Sequence, residues 1–254
     1  MTLAMALRAY DGLVLATDSR ATGGPQQSVD TSEKFLQVNR DIGVMTYGLA
    51  VPGYTGISRL VETVKGRREE LTYLKPIADA AGGIFQAAYA DWQSGEQQQG
   101  RAIPPDLKVG FILGGYDSAV NQFKISHWES PEFQECQYPH DDYLLAAQWH
   151  TARLLLNKLF YPEISVEQLS ELAVFLLVET AVSEPTVGGP LQLATVTLSQ
   201  GFQRLHEQDV NEILRRNQKR FCRFRKILLE TFSNVNAGLV EYLDSRAGQP
   251  VTEA

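Results

Sequence analysis

The sequence predicts an α+β protein: a four-layer αββα sandwich of two antiparallel sheets flanked by helix pairs, with a C-terminal helical extension. Three observations lead there. Hydrophobic periodicity runs in blocks, in the order strands, two helices, strands, two helices, strands. Asp11-Gly12, between two apolar runs, is a strong two-residue hairpin signal, because a type I′ turn needs φ > 0 at both central positions. The 254 residues, 44% of them apolar, suffice for one large sandwich-type domain or for two smaller ones.

The elements follow in order. Residues 3–9 and 13–17 are strand-length apolar runs on either side of Asp11-Gly12. Gly23-Gly24-Pro25-Gln26-Gln27-Ser28 is a polar loop. Lys34 opens the apolar stretch Phe35-Leu36-Gln37-Val38, and residues 41–47 form a strand that ends in Gly48. The period then changes. Ile57, Leu60, Val61 and Val64 recur at helical spacing between Tyr54 and Lys65, and Arg67-Arg68-Glu69-Glu70 closes that helix. A second helix runs from Leu74 to Trp92, followed by a loop over Ser94–Pro105. Leu107–Tyr116 and Ala119–His127 read as a strand pair turning at Asp117-Ser118. Tyr143–Phe160 reads as a helix. Ser165, with Gln168 three residues on, caps another that reaches about Val182. Pro190–Leu198 is a late strand. Residues 204–232 form a long helix with seven basic residues between positions 215 and 226, among them Arg215, Arg216, Lys219 and Arg220, opposite an apolar face. That helix fits docking on the domain or a neighbour, an anion contact, or a latch between subunits. Residues 239–254 read as a mobile tail.

The chemistry concentrates at the start. An initiator methionine is normally trimmed before a residue as small as Thr2. Trimming leaves one residue with both a hydroxyl nucleophile and an amine base, an established way to activate a weak hydroxyl. In an antiparallel hairpin the end of the second strand returns beside the start of the first, so Asp18 falls near Thr2. Lys34, entering a strand from the core side, is a cation that favours the alkoxide form of a nearby hydroxyl. A glycine at position 48 lets a backbone N–H approach a substrate carbonyl, as an oxyanion donor must. Taken singly, Asp18 also fits a turn cap, Lys34 a solvated strand-end charge and Gly48 a helix N-cap.

The run from Thr2 through Asp11-Gly12-Leu13-Val14-Leu15-Ala16-Thr17-Asp18-Ser19-Arg20-Ala21-Thr22, then Ser32-Glu33-Lys34 and Thr46-Tyr47-Gly48-Leu49-Ala50, resembles the proteasome β-subunit family, including its stand-alone bacterial members. Phe111-Ile112-Leu113-Gly114-Gly115-Tyr116-Asp117 and Thr186-Val187-Gly188-Gly189-Pro190-Leu191 extend the likeness to about residue 203. The resemblance implies an N-terminal-nucleophile hydrolase domain over residues 2–203, a helical extension over 204–238 and the tail over 239–254. It implies Thr2 as nucleophile, Lys34 as the group that tunes it, Asp18 as the partner of Lys34, and the Gly48 N–H as oxyanion donor. Thr22 and Ala50 stand where family members pair with an extended peptide. Ala21, Ser32, Leu36, Thr46 and Tyr54 would line the pocket for the residue before the cut, which favours an uncharged side chain. Two positions depart from the family. Leu145-Ala146-Ala147-Gln148-Trp149 replaces a glycine-serine stretch, and Val187 replaces a serine, with Glu184 left as the acidic support. Missing support of this kind weakens catalysis without changing its type.

The net charge of −7 argues against general binding to nucleic acid or anionic membranes. No apolar stretch is long enough to span a membrane. The N-terminus lacks a signal-peptide pattern, and two cysteines without metal spacing suit a reducing cytoplasm. His140-Asp141-Asp142 is no metal site, since adjacent residues rarely converge on one ion; an aspartate there caps the following helix. No cofactor is expected. The function expected is a threonine-type peptidase acting on unfolded polypeptide inside a self-assembled ring or related compartment. Its rivals are a catalytically silent structural subunit and an amidohydrolase that uses the same chemistry on a small amide.

Overall fold

A computed structural model describes residues 2–22, 28–29, 33–103, 107–137, 142–147, 150–223, 226–227 and 230, with the backbone alone for 21–22 and 28–29. The chain divides into two compact units, Met1–Asn211 and Glu212–Ala254. The elements are β1 (Leu3–Ala9), β2 (Gly12–Asp18), β3 (Ala21–Thr22), β4 (Ser28–Val29), β5 (Phe35–Asn39), β6 (Ile42–Gly48), α1 (Ala50–Gly66) and α2 (Leu74–Gln98). They continue with β7 (Val109–Asp117), β8 (Gln122–Glu129), β9 (Cys136–Gln137), β10 (Tyr143–Ala147), α3 (His150–Leu159), α4 (Val166–Ser183), β11 (Leu191–Thr197) and β12 (Gly201–Arg204). A further helix covers residues 207–223.

Two five-stranded antiparallel sheets, in the orders β10-β1-β2-β11-β12 and β5-β6-β7-β8-β9, stack face to face. Ala4, Ala6, Leu13 and Leu15 of the first sheet meet Phe35, Met45, Tyr47 and Ile112 of the second in a buried layer. The other face of the second sheet is covered by α1 and α2 through Ile57, Leu60, Ile77 and Phe85, which stacks on Phe111 of β7. The first sheet is covered by α4, which lies on β1, β2 and β11 and pairs with α3. This is the four-layer αββα order expected from the sequence. It explains why β1 and β2 are apolar almost throughout: both faces of that sheet are buried.

Several local details differ from the sequence reading. The β1–β2 hairpin forms, but Ala9 pairs with Gly12, so the turn residues are Tyr10 and Asp11. Gly12 is required for a different reason: a Cβ there would lie 2.3 Å from the Val196 carbonyl oxygen. Asp11 instead accepts a 2.8 Å hydrogen bond from Val166 N–H, helping to start α4. Tyr143–Phe160 is not one helix. Tyr143–Ala147 is an edge strand paired with β1, from Leu7↔Tyr143 to Leu3↔Ala147, and the helix begins at His150. Its side chains alternate in burial with period two, and pairing here satisfies backbone groups of β1 that a helix would leave unpaired. Asp142 therefore caps no helix; it receives the Arg8 guanidinium at 2.7 Å, and its carbonyl takes the Arg8 N–H.

The second helix runs past Trp92 to Gln98, through the expected loop, and stops at Gly100 (φ 68°). Gly100 N–H bonds Gln97 O and Arg101 N–H bonds Glu96 O, a Schellman closure. The α4 capping box is present, with Ser165 Oγ accepting from Gln168 N–H and the Gln168 side chain accepting from Ser165 N–H. A strand absent from the sequence reading, β12, closes the first sheet, so the last helix starts at residue 207 rather than 204. The 239–254 tail, His140, Asp141, Gln148 and Trp149 lie outside the described residues. Among the described residues no helix is long and apolar enough to cross a membrane.

Candidate active site

The site lies where β1 begins, β2 ends and β5 begins. Pairing of Ala4 with Thr17 sets the end of β2 beside the start of β1, and Asp18 Oδ1 accepts the Leu3 N–H at 3.2 Å. Lys34 comes from the other sheet. Its backbone is fixed from both sides: its carbonyl accepts from Thr46 N–H (3.0 Å), and its N–H donates to the Gln192 side chain on β11 (3.1 Å). Its ammonium crosses the gap between sheets and donates to Thr2 Oγ1, to Asp18 Oδ1 (3.3 Å) and to the Arg20 carbonyl (2.8 Å). Thr2 is 2% exposed, Asp18 0% and Lys34 6%, so this ion pair and hydroxyl sit almost out of water.

That burial has an electrostatic consequence. Desolvation lowers the pKa of Lys34 below its ordinary value, and the attraction and hydrogen bond of Asp18 only partly oppose it. A lysine so placed gives up its proton more readily than one in water. It can hold the Thr2 oxygen by donating to it, and it stabilises negative charge on that oxygen when the hydroxyl proton leaves.

Asp18 is held by a network that the sequence did not reveal. Its Oδ2 accepts from Arg20 N–H (3.2 Å) and from Gly188 N–H (3.0 Å). Arg20 N–H also donates to the Gly188 carbonyl at 3.0 Å, and its guanidinium donates to the Pro185 carbonyl at 2.8 Å. The 185–188 turn thus supports the site through its backbone. Glu184, expected as acidic support, ends α4 and contributes its backbone, donating to Thr180 O and accepting from Val187 N–H. Val187 is 1% exposed, and its apolar side chain offers no hydroxyl here.

Gly48 ends β6 with φ 84°, exposed, and a Cβ there would lie 2.0 Å from the Lys108 carbonyl oxygen. Both facts demand glycine. The Lys34–Thr46 bond places this corner at the same end of the sheet as the ammonium. The first turn of α1 follows at once, with no acidic residue and no side-chain cap, so its positive end is unneutralised there.

Among the expected pocket residues, Thr46 is 5% exposed and donates to Gly110 O, while Gly53 of α1 packs directly on its side chain. Leu36 is half-buried against the α1–α2 cluster. Ala50 opens α1, and Tyr54 on its next turn is 51% exposed. Ala21 and Thr22 form the short strand β3, paired with Ser28–Val29. Ser32 lies outside the described residues. A cavity of about 590 Å³ is lined by Ser19 and Glu33, the chain neighbours of Asp18 and Lys34, with Gln192, Arg204 and His206.

The sequence reading missed Arg20, Gly188 and Gln192 as supporting groups. Arg20 and Gly188 stand inside the motif segments and were within reach; nothing local distinguishes Gln192.

No family model matches the chain. Curated proteins do. Proteasome subunit beta 1 of Streptomyces avermitilis is 26% identical over 226 residues, covering 84% of this chain and 75% of that protein. Proteasome subunit beta 2 of Thermomonospora curvata is 24% identical over 229 residues, with 84% and 74% covered. A probable proteasome subunit alpha type-5 of Schizosaccharomyces pombe is 22% identical over 219 residues, with 85% of each covered. Among solved structures, Anbu from Yersinia bercovieri, described as an ancestral β-subunit, superposes with a TM-score of 0.69 at 17% identity over 99% of both chains. An Anbu (Gly-1) mutant from Hyphomicrobium gives 0.66 at 14% identity, covering 87% of this chain and 96% of that one. The chain thus has the proteasome-like N-terminal-nucleophile fold of Anbu, and its sequence is similar to the β subunits of bacterial proteasomes.

Proposed function

We propose that this protein is a threonine-type N-terminal-nucleophile hydrolase that cuts peptide bonds. The observation that carries this reading is the buried bond from the Lys34 ammonium to Thr2 Oγ1, with Asp18 paired to the same ammonium. Once Met1 is removed, Thr2 has a free amine beside that hydroxyl. The hydroxyl oxygen adds to the scissile carbonyl carbon and its proton passes to the amine. The carbonyl oxygen becomes an oxyanion facing the Gly48 N–H and the positive end of α1. Collapse breaks the C–N bond, the leaving amine takes the proton, and a threonyl ester remains. Water then adds to the ester, the acid departs, and Thr2 is restored.

Leu36, Thr46 and Tyr54 supply an uncharged wall for the residue before the cut, with Thr22 of β3 and Ala50 as backbone partners for an extended peptide. The "subunit" in the relatives' names supports self-association into a ring or related assembly, which would reserve the nucleophile for unfolded polypeptide. The cytoplasm is its proposed location. Intact mass with and without a threonine-directed electrophilic peptide tests the reading. The expected result is a mass lacking Met1, a single adduct mapped to Thr2, and none on Thr2→Ala.

A second reading, a silent structural subunit, draws on the buried apolar Val187 where the family has a serine. An intact assembly that takes no adduct would select it. Adduct formation with turnover of small amides and not of peptides would select an amidohydrolase.

A further inference from the structure

Tyr47, beside Gly48 in the chain, has no part in the chemistry above, yet it anchors a polar cluster within the inter-sheet layer. The ring is 4% exposed. Its hydroxyl donates to Glu129 Oε2 at 2.8 Å and lies 2.6 Å from His127 Nε2. A hydroxyl has one proton; with that proton on Glu129, the His127 contact is an Nε2–H donating to the phenol oxygen. Glu129 Oε1 takes the Lys108 ammonium. The Lys108 carbonyl, in turn, accepts the Leu49 N–H at 2.9 Å. These links close on themselves. From Tyr47 the chain runs through Gly48 to Leu49, a hydrogen bond leads to the Lys108 backbone, and the Lys108 side chain returns through Glu129 to Tyr47.

Gly110 makes the closure sterically feasible. It sits between Tyr47 on β6 and Glu129 on β8, and a Cβ there would come within 2.1 Å of the Tyr47 ring. Only glycine lets the phenol lie flat across β7 to reach the carboxylate. The tyrosine, the glycine and the glutamate therefore form one arrangement spanning three strands. Electrostatics agree. Burial alone would raise the Glu129 pKa, but the Lys108 and Tyr47 hydrogen bonds outweigh it and hold the group ionised, while burial lowers that of His127 and favours its neutral form.

We propose that Tyr47, Glu129 and Lys108 close a ring of bonds around Gly48 and position its N–H as the oxyanion donor. The inference rests on the peptidase reading for the donor's use, though not for the ring. Tyr47 and Glu129 are positioning residues: neither touches the reacting atoms. A glycine at a strand–helix corner is otherwise free to rotate its peptide plane, and an oxyanion donor a fraction of an ångström out of place loses much of its effect.

The test uses the full chain and three readouts. Tyr47→Phe keeps the ring's volume and removes only the hydroxyl. Its kcat for a peptide amide should fall about tenfold with KM within about twofold, because the donor matters most when the oxyanion forms. Covalent labelling of Thr2 by a peptide vinyl sulfone, whose adduct carries no oxyanion at the attacked carbon, should keep the wild-type rate. Hydrogen exchange at Gly48–Leu49 should accelerate. Lys108 is largely exposed, so Lys108→Met should cost only about two- to threefold, and Lys108→Arg should restore kcat. Gly110→Ala should reproduce the Tyr47→Phe defect. Wild-type kcat and unchanged exchange in Tyr47→Phe would overturn the ring. Accelerated exchange in a protein that no electrophile labels would uphold the ring and sink the peptidase reading instead.

Discussion

Asp18 and Gly48 both neighbour Lys34, one through its ammonium and the other through its strand pairing, and are held by opposite means. Asp18 is 0% exposed, and its two oxygens receive N–H groups from Leu3, Arg20 and Gly188 as well as the Lys34 ammonium. Gly48 is an exposed corner whose shape is fixed by φ 84° and by the Lys108 carbonyl against its α-carbon. A buried charge must be surrounded by donors or its desolvation cost unfolds the site. A neutral donor needs no such shell, only a fixed direction. Damage on the Asp18 side should therefore change how the site titrates, and damage on the Gly48 side should change how it discriminates among reactions at one pH.

The largest effect expected is from Lys34→Met, which removes the group common to both sides. Peptidase kcat should fall about 10³-fold, within the range for a group that assists proton transfer. The stability profile tests the same residue without activity. The Lys34 pKa is lowered on folding, so between that lowered value and 10.5 the unfolded chain binds more protons than the folded one. Stability conferred through Lys34 therefore rises with pH across that window, and the penalty of the buried charge is fully present below it. Urea unfolding from pH 7 to 10 should show this rise in wild type and its loss in Lys34→Met. Lys75 and Lys108 have raised values and slope the other way, but both are exposed and common to the two proteins.

Asp18→Asn comes next. Without the carboxylate the opposition that Asp18 offers to desolvation of Lys34 is gone, and its pKa falls further. The expected loss is about 10²-fold in kcat at neutral pH, with the pH–rate profile displaced toward acid. A loss without displacement would mean that Asp18 acts by shape alone.

Gly48→Ala probes the other side. The added methyl must escape the Lys108 carbonyl while the backbone keeps a left-handed φ, at a cost of about 1–2 kcal/mol. The N–H survives but turns, so kcat should fall about 10- to 100-fold with no displacement of the pH profile.

The sequence made some of this legible and hid the rest for physical reasons. The two hairpins that supply Thr2, Asp18, Lys34 and Gly48 are local, their apolar runs are long, and each residue type is nearly forced by its place. The turn was misplaced by one residue because Asp-Gly ordinarily marks a type I′ turn, whereas Asp11 is there to meet Val166 and Gly12 to clear Val196. β10 was invisible because Leu144 and Leu145 continue the helical spacing of α3; only β1, some 140 residues away, selects the strand. The support of Asp18 was hidden more deeply. Gly188 acts through an N–H that nearly every residue owns, and Gln192 through a bond to a backbone 158 positions earlier.

The smallest effect worth measuring is on that support. A Cβ at Gly188 would lie 2.8 Å from the Arg20 guanidinium carbon, the far end of a flexible side chain, and φ there is 157°, so Gly188→Ala pushes Arg20 aside and adds backbone strain at the turn. Two things follow. The guanidinium loses its bond to the Pro185 carbonyl, and the 185–188 turn loosens, lengthening the Gly188 N–H bond to Asp18 Oδ2. A carboxylate that loses part of one N–H donor is less firmly fixed against the Lys34 ammonium, so kcat should drop only about threefold, since one weakened hydrogen bond is worth under ~1 kcal/mol. The pH–rate profile should move a little in the same direction as in Asp18→Asn, while the ratio of amide turnover to vinyl sulfone labelling stays at its wild-type value. If that ratio changes with Gly188→Ala, the two sides of Lys34 are mechanically coupled and the separation of charge support from donor geometry is wrong.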